Sequence, residues 1–339
     1  MSELLRVENL VKHFTSGGGL FGAPRKTVRA VNEVSFTVER GGSMGLVGES
    51  GCGKSTVARM LLRLMEPDSG SILFDGIDVR RATTSQMRAL RQRIQIVFQD
   101  PYASLNPRRT VRQTLEEPLR VHGRGNRRSI ADKVASTLSE VGLPVDVLDR
   151  YPHEFSGGQR QRIGIARALV LDPDMIIADE PVSALDVSVQ AQILQLLSKL
   201  RKERGLSFVF VSHDLGVVRQ FCDTVSVMYL GRIVESGPTR ALLDTPAHPY
   251  TRVLKDSSPV PDPQARIRLS KIKGEIPSPT RMPPGCSFNP RCERASDRCR
   301  KEMPSLDEIV SGRRVACYFP LSTVSSDGNA SAASSGNNV

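Results

Sequence analysis

Short apolar runs alternate with amphipathic stretches along the first two-thirds of the chain. LLRVENLV (4–11) predicts a first strand, and VRAVNEVSFTVE (28–39) alternates well enough for a half-buried second. The Gly-rich SGGGLFGAPRK (16–26) between them predicts a flexible loop or insertion. MGLVGES (44–50) predicts an apolar strand running into a Gly-rich turn, and TVARMLLRLM (56–65) a helix that EPDSG (66–70) stops. SILFDGIDV (71–79) predicts a hairpin turning at Asp75-Gly76. A helix over 85–93 and a buried strand IQIVFQ (94–99) follow, then helical pattern broken by Pro and Gly to about residue 150, and a helix over 158–171. DMIIADE (174–180) and LSFVFVSHD (206–214) read as apolar strands with polar exits. They flank a helix that places Val189, Ile193, Leu196, Leu197 and Leu200 on one face. This alternation predicts an α/β fold with a parallel sheet and a site at the carboxyl ends of its strands. Beyond about residue 235 prolines crowd the chain and predict a loop-rich extension, and the Ser/Asn/Ala/Gly tail 321–339 predicts disorder.

Length changes that picture only by adding domains: 339 residues suggest two or three. No run approaches the roughly 20 apolar residues that span a bilayer, and MSELLRVENLVKHF lacks the apolar core of a secretory signal, so a soluble intracellular chain is expected. The net charge of +11 is spread without a basic stripe, and with no Trp and 5 Tyr, stacking platforms for nucleic acid are poorly supplied. Of 6 Cys, Cys52 and Cys222 are isolated and read as a loop filler and a small buried hydrophobe. Cys286, Cys292, Cys299 and Cys317 cluster near the C-terminus. In a reducing compartment they suggest a metal site rather than disulfides.

GESGCGKS, residues Gly48, Glu49, Ser50, Gly51, Cys52, Gly53, Lys54 and Ser55, fits G-x-x-x-x-G-K-[ST] between a strand and a helix. The glycines let successive backbone N–H groups curl around phosphate oxygens, and the helix that follows aims its positive end at the same anion. Lys54 can reach the β- and γ-phosphates, and Ser55 can ligate Mg²⁺. Asp179 and Glu180 close an apolar strand. Behind a P-loop, Asp179 suits a Mg²⁺ ligand and Glu180 the base that polarises an attacking water.

FSGGQRQRIGIARAL (155–169) resembles the signature of ABC ATPases, with Phe155 where Leu is commoner. Gln99 resembles the Q-loop glutamine, SALD (183–186) the D-loop, His213 the switch histidine and Phe14 the aromatic that stacks on adenine. The resemblance implies a P-loop NTPase (RecA-like) core carrying an antiparallel β subdomain and a helical ABC-specific subdomain. It also implies a head-to-tail pair of cassettes with two ATPs sandwiched between them. Gly48 to Thr56 would hold phosphates and Mg²⁺, Gln99 and Asp179 would complete the metal shell, and His213 would contact the γ-phosphate. Ser156, Gly157, Gly158 and Gln159 would grip the ATP of the paired cassette, with Asp186 linking the sites. The implied domains are an ATPase domain over 1–235 with its helical part at about 100–155, an extension over 236–320, and the tail.

NPRRTV (106–111), AHPYTRVL (247–254) and PTRMPPGCSFNPRC (279–292) are similar to segments of oligopeptide and dipeptide importer ATPases of the second-ATPase type. That implies a peripheral subunit on the cytoplasmic face of the membrane, powering peptide uptake through two membrane permease subunits. The implied partners are a second, related ATPase, with a homodimer as the alternative, and an extracytoplasmic peptide-binding protein; no nucleic acid is expected. Nickel or glutathione import, a soluble ABC ATPase of translation or DNA repair, and a redox-sensing module are the rival functions. The C-x₅-C-x₆-C-x₁₇-C spacing can hold a [4Fe–4S] cluster or Zn²⁺, or carry free thiols. It lacks the C-x₂-C of zinc ribbons, which favours iron–sulfur.

Overall fold

The structure is a computed structural model that describes residues 2–16, 26–100, 102–257 and 274–321. Most of the expected loop at 16–26 and of the tail lies outside the described residues.

The chain opens with two long strands, β1 (Glu3–Ser16) and β2 (Lys26–Glu39), paired antiparallel. β3 (Ser43–Val47) then leaves for a second sheet and feeds α1 (Lys54–Leu61). The chain returns through β4 (Ser69–Phe74) and β5 (Ile77–Asp78), completing an antiparallel sheet of order β2-β1-β4-β5. The β4–β5 turn is Asp75-Gly76, with φ of 50° and 77°. A two-residue hairpin needs both in the left-handed region, and this pair adopts it at little cost.

α2 (Thr84–Arg93) starts from a Thr83–Gln86 capping box and leads into β6 (Ile94–Val97). The region between β6 and the next strand is helical: α3 (Val111–Val121), α4 (Arg127–Glu140), two short 3₁₀ turns, and α5 (Gly157–Leu169). β7 (Met175–Asp179), α6 (Val187–Arg204), β8 (Ser207–Ser212), α7 (Leu215–Phe221) and β9 (Thr224–Tyr229) complete the parallel core. β10 (Arg232–Pro238) turns back antiparallel on β9. α8 (Thr239–Asp244), α9 (Pro249–Ser257), α10 (Asp297–Lys301), β11 (Asp307–Val310) and β12 (Arg313–Val315) form the extension.

The main sheet runs β11-β12-β10-β9-β3-β8-β7-β6, with β9, β3, β8, β7 and β6 mutually parallel. β3, β7 and β8 are buried along their whole length, as their unbroken apolar runs require of strands covered on both faces. Successive residues serve opposite sides. Met175 and Ile177 join the core shared with β1, β2, β4, α1 and α2, whereas Ile176 and Ala178 join the core shared with the helices α3 to α7. No helix among the described residues is long and apolar enough to cross a membrane. The loop-rich extension also carries ordered strands: β11 and β12 continue the main sheet through Glu235↔Val315 and Ser236↔Arg314.

Candidate nucleotide site

At the carboxyl end of β3 the chain wraps into the loop 48–53 before α1 begins. Gly53 sits at φ 108°, and a Cβ there would lie 2.1 Å from the carbonyl oxygen of Ala30. Gly48 passes equally close to the main chain, 2.1 Å from Met228 O for the same added atom. Neither position admits a side chain. Lys54 is buried and donates from Nζ to Gly48 O (2.7 Å) and Glu49 O (3.1 Å), which folds the loop around its ammonium.

β7 delivers the next group. Ser55 Oγ donates to Asp179 Oδ1 at 2.9 Å. Burial pushes the Asp179 carboxyl above its usual range; the Ser55 hydroxyl opposes the shift and neighbouring Glu180 adds to it. A divalent cation between these two residues would relieve that desolvation, so the donor set suits Mg²⁺.

Glu180 holds a left-handed backbone, φ 48°, at the strand exit. Its Oε2 receives Gln99 Nε2 at 3.0 Å and lies 3.2 Å from His213 Nδ1. Three strand ends, of β6, β7 and β8, thereby converge on one carboxylate. Such a strained backbone persists only where surrounding contacts hold it, here including the Glu180 N–H donated to Val211 O at 3.0 Å.

These residues line one cleft of about 790 Å³ that includes Phe14, residues 48–51, 53–56, Gln99, Glu180 and His213. Phe14 is 38% exposed near the end of β1, and Lys12 Nζ lies over its ring at 5.7 Å from the centre. Cys52 is buried behind the loop with Asp179 also outside the lining.

The signature residues are elsewhere. Ser156 caps α5 in a reciprocal box with Gln159, Ser156 N donating to Gln159 Oε1 at 3.0 Å. Gly158 must be small, because a Cβ there would lie 2.6 Å from Val189 Cγ1 of α6. Asp186 is exposed at the start of α6. Within one chain Ser156, Gly157, Gly158, Gln159 and Asp186 do not reach the cleft.

Six contributors are not singled out by the sequence. Val28, Ala30, Leu254 and Pro279 line the cleft, Tyr250 Oη receives the Glu49 N–H at 3.0 Å, and Arg291 pairs with the Glu49 carboxylate. AHPYTRVL and NPRC stood out as motifs, but nothing local in them shows that they fold back on a loop some 200 residues earlier.

In the extension, Cys286, Cys292, Cys299 and Cys317 line a common cavity with His248 and Phe288. Burial pushes the Cys286 thiol up to about 11, and the other three sulfurs add to the shift. Among the described residues, however, no group of three or more His, Cys, Asp or Glu is placed to hold a single metal ion.

Comparison with known proteins agrees with this geometry. The family model "ABC transporter" matches residues 31–183, and "Oligopeptide/dipeptide transporter, C-terminal region" matches 234–299. A probable peptide ABC transporter ATP-binding protein of Sinorhizobium fredii is 53% identical over 316 residues, 93% of this chain and 89% of that one. A dipeptide transport ATP-binding protein of Haemophilus influenzae is 48% identical, covering 93% and 96%. Among solved structures, a dimeric ATP-binding cassette in a post-hydrolysis state with ADP and phosphate aligns with TM-score 0.62 at 29% identity, covering 70% of this chain and 99% of that one. A component of an ABC transporter complex from Clostridium perfringens aligns with TM-score 0.62 at 30% identity, covering 72% and 92%. The chain is therefore an ATP hydrolase and belongs to the ABC transporter ATP-binding family.

Proposed function

We propose that the chain is the ATPase subunit of an importer for di- or oligopeptides, working at the cytoplasmic face of the membrane. Its partners would be two membrane permease subunits, a second, related cassette and an extracytoplasmic peptide-binding protein. The match of residues 234–299 to the oligopeptide/dipeptide C-terminal region carries this reading, and the printed functions of the relatives support it.

In the proposed cycle Phe14 stacks on adenine, and the loop N–H groups with Lys54 hold the β- and γ-phosphates. Ser55, Asp179 and Gln99 would hold Mg²⁺, which when bound neutralises charge at those phosphates. Glu180 accepts a proton from the attacking water as the water oxygen bonds to the γ-phosphorus and the bond to the β-phosphate oxygen breaks. His213 orients that water and the γ-phosphate. Ser156, Gly157, Gly158 and Gln159 contact the γ-phosphate bound by the paired cassette, and Asp186 bridges the two sites. Closure is then favoured only while the γ-phosphate is present.

The four cysteines would carry a [4Fe–4S] cluster. Their common cavity and a spacing that lacks the C-x₂-C of zinc ribbons support this reading over Zn²⁺, although among the described residues no group is placed to hold a metal ion. Anaerobic purification of the full chain should give brown protein with iron and sulfide in equal amounts. A colourless sample with one zinc per chain would overturn the assignment.

Transport is tested by isolating the tagged chain from its native membranes in mild detergent. Two multi-span subunits, a second ATPase and a peptide-binding lipoprotein are the expected companions. Recovery from the soluble fraction with ribosomes or DNA would remove the transport reading.

A further inference from the structure

Arg291 leaves the Cys-rich extension to meet the phosphate loop. Its Nη1 lies 2.8 Å from Glu49 Oε2 and its Nη2 3.0 Å from Glu49 Oε1, a fork-to-fork pair across 242 residues of sequence. The Arg291 side chain is 4% exposed and that of Glu49 21%, so the pair is largely withdrawn from water. Arg291 also stacks on Tyr229 and Phe288, and its Nη1 donates to Tyr229 Oη at 3.4 Å. Tyr250, fully buried against the same two rings, takes the Glu49 N–H. Both the carboxylate and the main-chain N–H of Glu49 are thus committed to the extension, while the Glu49 carbonyl accepts Lys54 Nζ.

Glu49 also lines the nucleotide cleft. A free carboxylate there would face a triphosphate carrying several negative charges, and the repulsion would be strong in so sheltered a place. The paired guanidinium offsets that charge.

We propose that Arg291 is a positioning residue for ATP binding. By pairing with Glu49 it neutralises the phosphate loop's own carboxylate and fixes the loop's second residue, so that the docked extension sets the affinity of the cleft for nucleotide. The inference rests on the loop 48–55 being the phosphate site.

The full chain is the material, with ATP affinity measured by titration of a fluorescent ATP analogue and turnover measured alongside. Arg291→Gln leaves the carboxylate unpaired and should weaken ATP binding about tenfold while kcat at saturating ATP changes little. Adding Glu49→Gln removes the repelling charge and should restore most of that affinity. A merely structural arginine would give no such rescue. Should Arg291→Gln fail to fold, recovery of folded, ATP-binding protein by the second substitution carries the same meaning. Unchanged affinity in folded Arg291→Gln, or no recovery in the double variant, would overturn the proposal. Lys54→Ala separates the two levels: if it still binds ATP, the phosphate-site reading fails and the proposal falls with it, whereas lost binding there with no effect of Arg291→Gln overturns the proposal alone.

Discussion

In the proposed cycle Glu180 is the residue on which the chemistry turns. Its carboxylate is mostly sheltered, 14% exposed, and is approached by an amide from Gln99 and an imidazole from His213. The Gln99 amide is not basic, and the more exposed His213, 57% against 14%, hydrogen-bonds the carboxylate from the rim. Glu180→Gln keeps the size and the hydrogen-bonding reach of the side chain. ATP binding should therefore persist, while turnover falls by about 10²–10⁴-fold, the usual range for a lost general base. Single-turnover hydrolysis beside equilibrium ATP binding checks both halves, and normal turnover would remove Glu180 from the role of base. A second residue-scale constraint is Gly53, whose missing Cβ leaves room for Ala30 O. Gly53→Ala should lose ATP binding through a displaced loop, visible in the same titration.

At the scale of elements, a buried ion pair reinforces the strand pairing that attaches the extension to the sheet. Glu235 on β10 is 0% exposed on its side chain and Arg313 on β12 is 8% exposed, with Arg313 Nη2 3.0 Å from Glu235 Oε1. Glu235 further accepts the N–H groups of Ala247 and His248, each at 2.9 Å. One carboxylate thereby joins β10, β12 and the start of α9. Removing only the cation strands a buried charge, and such changes cost about 3–5 kcal/mol. Arg313→Leu should lower stability by that amount in denaturant melts. A loss below about 1 kcal/mol would show that water reaches Glu235.

The same elements show what could be read from the chain and what could not. The strands at 44–47, 175–179 and 207–212 were legible because burial on both faces demands apolar runs, and the half-buried edge strand at 94–97 from its Ile and Val residues. The hairpin at Asp75-Gly76 was legible from its turn chemistry. The β9–β10 hairpin was not assigned, although Leu230 and Gly231 turn it with φ of 43° and 81°. Strands β11 and β12 carry mostly polar residues at a sheet edge, so their hydrophobic pattern is too weak to announce them. The phosphate loop was legible since its chemistry lies within eight consecutive residues. Arg291 and Tyr250 were not, because only tertiary packing brings them to Glu49.

At the scale of the whole molecule, the chain carries two halves of different sites. The cleft holds Lys54, Glu180 and His213, while Ser156 and the N-terminus of α5 do not reach it. Within this chain the helix N-terminus with its Ser and Gly residues does not reach an anion held in the cleft, and in the proposed head-to-tail pair the other cassette would supply one. This separation makes the two faces independently breakable. Lys54→Ala should abolish the chain's own ATP binding, measured on the isolated protein. Ser156→Arg should leave that binding unchanged, because nothing at Ser156 lines the cleft. In the assembled transporter, however, Ser156→Arg fills the space where the neighbour's γ-phosphate would dock and should cut ATP turnover at least about tenfold, since even one lost oxyanion donor costs about 10²–10³ elsewhere. If Ser156→Arg instead weakened ATP binding by the isolated chain, the signature would act on its own cleft and the head-to-tail arrangement would fall. If turnover in the assembly were unaffected, α5 would have no part in closing the paired site.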